Sequence, residues 1–593
     1  MVKWKDIDGK RLYYLFFYGR RKVQENQKHL NDINVFPVPD GDTGTNLAQT
    51  MHSIVEGSRA EPSVSAVSSN LADAALTGSR GNSGIIFAQF VQGLNEAIKG
   101  KDRLHPKEFI HAAVKGVDHA YKALSKPVEG TILSVMRAWA NSLHHLHEKG
   151  TDFVENLHHS LEVAQKALRD TPKQLKTLKA AGVVDAGAQG FVHFLEGMLH
   201  FVRHGRKSDS LIHADAFSDD GPHLESVQEE ITFRYCTEVF IHGQNLDPAL
   251  IRKQVEEEGD SLIVAGSTEK VRVHLHTDHP SRIVQKLRPF GKLAQQKIDD
   301  MQRQYEDHYR RKARIALVTD STCDLPKAIM DEYQIHLVPL NLNFGENTYI
   351  DKLSIEPDRF YEMLDEEEDF PTTSQPTVRQ FELLYQSLAR NYDSIISIHL
   401  AEVLSGTLNA ARQAAEKVQD TRISVIDSKA LTTSIGLIVL RTAREIQNGR
   451  PHDEIVRLVE SWTSKVKVLV SVATMKYFVK GGRVSPMKGA LAKILNLKPI
   501  ISQDQDGRSI IAGKTFGHKA NIKKILNMIQ KLNGENKIQA FAVGHAHVPE
   551  KAAQFADQIG GLLSLESSFT VDIGPVIGAH AGYGTMCVSV ISK

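Results

Sequence analysis

Asn34-Val35-Phe36-Pro37-Val38-Pro39-Asp40-Gly41-Asp42-Thr43-Gly44-Thr45-Asn46 places two carboxylates, Asp40 and Asp42, around one glycine in a proline-rich turn. A helical pattern follows. Gly41 lets the turn tighten. Each carboxylate can give a hard oxygen to Mg²⁺, an ion that keeps waters and phosphates in its shell. The same residues also suit an Asp-Gly turn with a helix cap. The surroundings are helical: Leu71 to Leu76, Gly84 to Ile98 and Phe153 to Leu168 repeat apolar residues at helical spacing, and strand signals are nearly absent up to residue 205.

Three more segments of this region share the small, polar character of an anion site. Gly78-Ser79-Arg80-Gly81-Asn82-Ser83-Gly84 opens directly into Ile85-Ile86-Phe87-Ala88. The unpaired N–H groups at such a helix start, with the helix dipole, make a cradle for phosphate. Pro127-Val128-Glu129-Gly130-Thr131-Ile132-Leu133 and Val184-Asp185-Ala186-Gly187-Ala188-Gln189-Gly190 are the others. A phosphate loop of the Walker type is absent. Gly507 to Thr515 ends in Gly-Lys-Thr but has five residues between its glycines instead of four.

A polar stretch from Arg206 to Pro222 reads as a linker. Beyond it the pattern changes to a small α+β module, 226–301, with strands at Tyr235 to His242, Ser261 to Ala265 and Lys270 to Thr277. In the last of these Val271, Val273 and Leu275 alternate with Arg272, His274 and His276. Cys236 with His274 and His276 suits Zn²⁺ with an open fourth position, and equally a buried thiol beside a solvated polar face. Gln302 to Lys312 is dense in charge and reads as a solvated helix. From 313 to 593, apolar strands run into small polar loops and helices, as at Arg314 to Thr319, Ser394 to His399 and Ile423 to Asp427. That rhythm predicts a parallel α/β sheet with ligand sites at the strand ends. The acidic run Asp365 to Asp369 reads as solvated surface.

Composition sets the outer bounds. The length of 593 residues suggests about four domains. Lys plus Arg is 72 and Asp plus Glu 71, a net charge of +1, which gives no support to binding of nucleic acid or a membrane surface through bulk charge. No apolar run approaches the roughly 18 residues of a membrane span. The start, Met1 to Asp6, lacks the apolar stretch of a secretory signal. Three cysteines, Cys236, Cys323 and Cys587, make no disulfide framework, so a reducing, cytoplasmic setting is expected.

The four segments of residues 1–205, in their order, resemble the DhaL-type ATP-binding domain of bacterial dihydroxyacetone kinase and of fatty acid kinase A, and the wording around Asp40 is closer to the latter. The resemblance implies an all-α helical barrel holding ATP and two Mg²⁺ at one end. Asp40 and Asp42 would bind the metal, with Asn34 standing where the dihydroxyacetone-kinase branch has a third Asp. Asn46, Ser79, Gly81, Asn82, Ser83, Gly130, Thr131 and Asp185 would contact the nucleotide. The middle module resembles that of fatty acid kinase A, which implies a zinc site at Cys236, His274 and His276.

Residues 313–593 resemble the DegV family, the fatty-acid-binding partners in the same system. The carrying segments are Val318 to Pro326, Thr372 to Thr377, Leu404 to Thr407, Lys480 to Ser485 and Gly574 to His580. Gly582-Tyr583-Gly584 stands where the family usually has Gly-Pro-Gly. Two α/β subdomains with an acyl chain between them are implied, the carboxylate being held by Thr373, Ser405, Arg483 and His580. An ionised carboxylate is costly to bury unless paired, and Arg483 supplies a fixed charge. The chain so read is a fusion that phosphorylates a fatty acid with ATP. Asp40 and Asp42 act at the metal, and Arg483 and His580 at the acceptor. The expected partners are the fatty acid, a membrane touched transiently, a second copy of the chain and a downstream acyltransferase. Two other readings are a lipid-binding regulator that senses ATP and a small-molecule kinase of the dihydroxyacetone type.

Overall fold

The computed structural model describes residues 4–36, 41–124, 126–149, 151–205, 231–366, 369–419, 421–482 and 497–593. They fall into two compact units, Met1–His279 with Gln285–Tyr305, and Pro280–Val284 with Glu306–Lys593.

The first unit begins with helices, from Gly9–Glu25 to Ala186–His204. Aspartates open several of them: Asp8 accepts from the amide of Arg11, Asp152 from Val154 and Asp185 from Ala188. Each cap satisfies a donor that has no partner inside its helix. The apolar faces meet in an aromatic core, where the ring centroids of Phe87 and Phe194 lie 5.0 Å apart, those of Phe16 and Phe194 5.3 Å, and those of Trp139 and Phe191 5.6 Å. The first and last helices cross at two glycines. A β-carbon on Gly19 would lie 2.3 Å from the Phe194 ring, and one on Gly197 would lie 2.2 Å from the Tyr18 carbonyl oxygen.

A four-stranded sheet completes this unit: β1 (Tyr235–His242), β2 (Asp260–Gly266), β3 (Lys270–Thr277) and β4 (Lys292–Asp300), in the order β2-β3-β1-β4. Its pairings are all antiparallel. The register places Cys236 between His276 and Asp299, and Glu238 between His274 and Lys297. Arg272, His274 and His276 are buried, so the solvated polar face considered from the alternation is not what forms.

The second unit contains β5 (Ile315–Asp320), β6 (His336–Val338), β7 (Asn341–Phe344), β8 (Asn347–Ile350), β9 (Thr372–Ser374), β10 (Ser394–His399), β11 (Arg422–Asp427), β12 (Val466–Ser471), β13 (Leu497–Gln503), β14 (Ser509–Phe516), β15 (Ile538–His545), β16 (Thr570–Asp572) and β17 (Met586–Ser592). Strands β11-β10-β5-β6 make the parallel sheet that the sequence predicts. The other large sheet, β14-β13-β12-β17-β15-β16, is antiparallel except at β15–β16, so the parallel expectation holds for only part of the region. A third, small antiparallel sheet orders β8-β7-β9. The buried helix Thr433–Gln447 packs against strands of both large sheets. Gly507 to Thr515 lies in the β13–β14 hairpin, a setting unlike a phosphate loop.

The charged segment after residue 301 is also different from its reading. It forms the helix Met301–Tyr309, but Arg303 and Asp307 are each only 7% exposed. Asp307 accepts from the Tyr392 hydroxyl at 2.7 Å and lies 2.9 Å from His336 Nε2. A buried charge needs such partners. Among the described residues, no helix is long and apolar enough to cross a membrane.

The glycine crossing gives a direct test. Gly197→Ala should destabilise the first unit by about 1–3 kcal/mol, because backbone must move to admit the methyl. Hydrogen exchange should show faster opening of Ala186–His204. Gly534→Ala, in the helix His518–Asn536 with no atom within 4 Å of its added carbon, should leave stability unchanged or raise it by up to ~1 kcal/mol.

Candidate functional site

Four loop segments of the helical region converge. Asp42 starts the helix Thr43–Glu56 without spending its carboxylate on a cap hydrogen bond. Gly41 before it has φ +62°, a conformation that favours glycine. Asn34 accepts from the Thr43 hydroxyl at 2.8 Å, which ties the loop to that helix. Gly81, also left-handed, starts the helix Gly81–Ile98 against Asn46: a β-carbon there would lie 2.7 Å from the Asn46 amide nitrogen. Gly187 packs as closely on the Ser83 hydroxyl. Asp185 caps its helix at Ala188 N, 2.7 Å away, and its own amide donates to Thr171. Burial pushes the Asp185 carboxyl up to about 6, although the amides of Ala188 and Ile132 pull the other way. The Ile132 contact brings in the Gly130-Thr131 segment.

Some predicted contacts are engaged locally. Thr131 donates to Val128 O at 2.7 Å, and Ser79 turns back to Leu76 O. The Gly81 amide donates to Glu238 Oε1 at 3.0 Å. Asn82 and Ser83 remain in the first helical turn, where backbone donors lack intrahelical acceptors. Asp40 lies outside the described residues.

The β1–β3–β4 face closes over this convergence. Glu238 Oε2 accepts from Arg272 at 3.1 Å, in a pair whose side chains are 6% and 3% exposed for Arg272 and Glu238. Arg272 also donates to Leu76 O and Thr77 O, at 3.2 and 2.7 Å, at the end of the helix Val64–Gly78. Burial opposes the Glu238 charge, but His274 and Arg272 outweigh it and hold its pKa at about 2. Burial lowers the His274 pKa as well. We therefore assign Glu238 as ionised and His274 as neutral, with Arg272 carrying the counter-charge.

Beside this pair, ligand atoms of Cys236, His274 and His276 lie within 4.8 Å of one another. Cys236 Sγ is 3.9 Å from His274 Nδ1, and His276 Nδ1 is 3.2 Å from Asp260. His274 Nε2 is buried without a hydrogen-bond partner. A sulfur and two imidazoles at this spacing, each imidazole beside a carboxylate, fit a tetrahedral cation with one position open.

In the second unit, Thr373 Oγ1 lies 3.5 Å from His580 Nε2. The His580 ring rests on Gly481, where a β-carbon would fall 2.1 Å from Nδ1. Gly406 packs equally closely on Gln375, which brings Ser405 beside the β9 segment. Ser405 accepts from the Thr407 amide at 3.3 Å. His580 belongs to the helix Pro575–Ala581. Gly482 is left-handed and leads into Arg483, which lies outside the described residues. Tyr583, between left-handed Gly582 and Gly584, is 46% exposed and packs near His547 and Tyr361.

Sequence reading missed the groups that hold these sites. Glu238 and Arg272 share a face with Cys236 and His274 by simple alternation, a signal that was present. Lys297 and Asp299 lie on β4, whose Lys-Leu-Ala-Gln-Gln-Lys-Ile-Asp-Asp carries little strand propensity. Asp324 was visible only as part of a motif. Its carboxylate accepts from Lys352 at 2.7 Å, Thr432 at 2.6 Å and the Gly574 amide at 3.0 Å, three residues distant in sequence. Asp351 accepts from the Val576 amide at 3.2 Å.

Comparison with known families gives three successive matches. Residues 37–200 match the DAK2 domain, 232–308 the fatty acid kinase A-like middle domain, and 314–593 the uncharacterised protein, DegV family. Protein YloV of Bacillus subtilis is 34% identical over 317 residues, covering 51% of this chain and 57% of its own length. An uncharacterized protein of Staphylococcus epidermidis is 33% identical over the same share of both chains. The chain thus spans little more than half the length of these relatives. Among solved structures, DegV, a fatty acid binding protein from Bacillus subtilis, is 30% identical with a TM-score of 0.44, over 47% of this chain and 100% of that one. A DegV family protein from Thermus thermophilus, described for its fatty acid binding, is 30% identical with a TM-score of 0.45 over the same shares.

Asp351 yields a pH prediction. Burial pushes its carboxyl up to about 7 from an ordinary 3.8, against the charge of Lys352. The folded chain therefore binds this proton more tightly than the unfolded one, and the second unit should lose stability as pH rises from about 4 to about 7. Asp351→Asn should flatten that slope in thermal unfolding followed across the range.

Proposed function

The chain carries a DAK2 domain, a fatty acid kinase A-like middle domain and a DegV domain in one polypeptide, and from this we propose that it phosphorylates a fatty acid with ATP, yielding an acyl phosphate and ADP. The observation that carries the proposal is the convergence of the Asp42, Asn46, Gly81–Ser83 and Asp185 segments beneath the polar face of the middle sheet.

Each part has a chemical task. The amides of Asn82 and Ser83 would receive phosphate oxygens at the helix start. Asp40 and Asp42 would hold Mg²⁺, with Asn34 fixing the loop; when bound, the ion offsets the charge of the transferring phosphoryl group. Thr373, Ser405 and His580, with Arg483, would receive the fatty acid carboxylate. That group is already ionised near neutral pH, so the reaction asks for no general base, and positioning supplies most of the catalysis. Cys236, His274 and His276 would hold Zn²⁺. Joining the nucleotide and lipid modules in one chain raises the effective concentration of one for the other.

Purified chain incubated with Mg²⁺-ATP and oleate should form acyl phosphate, trapped with hydroxylamine, and release ADP. Phosphorylation of dihydroxyacetone but not oleate would reject the proposal. Asp40→Ala should abolish acyl phosphate and leave oleate binding intact, while Arg483→Ala should weaken oleate binding and spare ATP binding. Wild-type turnover in both variants would remove the site assignment. Cys236→Ser should lower the zinc content of protein purified without chelator, read by elemental mass spectrometry.

A further inference from the structure

Strand β4 brings a lysine across to the predicted magnesium end. Lys297 stands opposite Glu238 in the β1–β4 register. Its ammonium lies 2.6 Å from Asp299 and 3.6 Å from Asp42 Oδ2. The two contacts differ in kind. The first is a close, charge-assisted hydrogen bond. The second exceeds hydrogen-bond length and is a Coulombic attraction that another cation can replace. The side chains of Lys297 and Asp42 are 29% and 34% exposed, so both keep an open side on which a small molecule can act. The charges nearby are Asp42, Asp299 and Glu238 against Lys297 and Arg272, with Arg80 acting on Arg272 from the helical region. Arg272 is committed to Glu238 and two helix carbonyls, whereas Lys297 is held to Asp42 by Coulombic attraction alone.

Phosphoryl transfer to a carboxylate needs such a group. An acyl carboxylate oxygen forms a bond to the γ-phosphorus, the bridging bond to the β-phosphate oxygen breaks, and its electron pair leaves with ADP. No proton changes hands, but two anions must approach and negative charge gathers on the equatorial and leaving oxygens. A flexible four-carbon stem lets an ammonium swing between a carboxylate and a nearby phosphate. We propose that Lys297 is a phosphoryl-contacting residue of this reaction, which offsets the charge of Asp42 before the nucleotide binds and then turns its ammonium onto the γ-phosphoryl oxygens. The inference rests on the kinase reading and assigns a residue of the middle sheet to the chemistry itself.

Two measurements on the full chain test it. In steady-state assays with Mg²⁺-ATP and oleate, Lys297→Gln should lower kcat about 100-fold or more while KM for ATP changes less than about 3-fold, the pattern of a contact made chiefly in the transition state. Lys297→Arg, which keeps the charge, should recover at least about a tenth of the wild-type rate. In a titration without nucleotide, followed by electron paramagnetic resonance of Mn²⁺, Lys297→Gln should bind the ion several-fold more tightly, because the competing ammonium is gone. A purely structural ion pair would show as a lowered melting temperature of Lys297→Gln, with kcat per folded molecule unchanged. Wild-type kcat in Lys297→Gln, or unchanged Mn²⁺ affinity, would overturn the inference. If the unaltered chain forms no acyl phosphate, the kinase reading fails by itself, and the Mn²⁺ titration still decides the exchange between Lys297 and Asp42.

Discussion

A single buried charge pair, Glu238 with Arg272, ties the middle sheet to the helices. Taking both ions out of water costs several kcal/mol each, so the pair is stable only with its remaining hydrogen-bonding capacity satisfied. The partners that satisfy it belong to the helical region: the Gly81 amide for Glu238, and Leu76 O and Thr77 O for Arg272. Docking of the sheet and completion of its ion pair are therefore one event. The end of one helix is fixed by Arg272, 196 positions away, and the start of the next by Glu238, 157 positions away.

The same carboxylate touches three functions at once. Glu238 faces His274 of the candidate zinc cluster, the first amide of the predicted phosphate cradle, and by register Lys297 beside Asp42. Neutral His274 is the form that a metal accepts. A change at any one of these positions alters the electrostatics of the other two, since a low-dielectric setting strengthens every charge within it.

The second unit repeats the principle with different residues. Asp324 gathers Lys352, Thr432 and the Gly574 amide, and Asp351 holds Val576, so two buried carboxylates fix the first turn of the helix that carries His580. That anchoring sets His580 against Thr373 and Gly481. In both units, acidic side chains from distant segments bind the amides at a helix start, at the place where chemistry is proposed.

Much of this was legible in the residues. Helical spacing up to residue 205, strand alternation from Tyr235 and the strand-loop-helix rhythm after residue 313 fixed the element types, because period and local turn chemistry are properties of short windows. The segments around Asp42, Gly81, Thr373 and His580 stood out for the same reason. The antiparallel order of the second large sheet, the burial of Arg303 and Asp307, and the roles of Glu238, Arg272, Lys297 and Asp324 belong to the tertiary structure alone. A charged residue looks the same in sequence whether it meets water or a partner two hundred residues away, and only the folded chain decides which of the two costs less free energy.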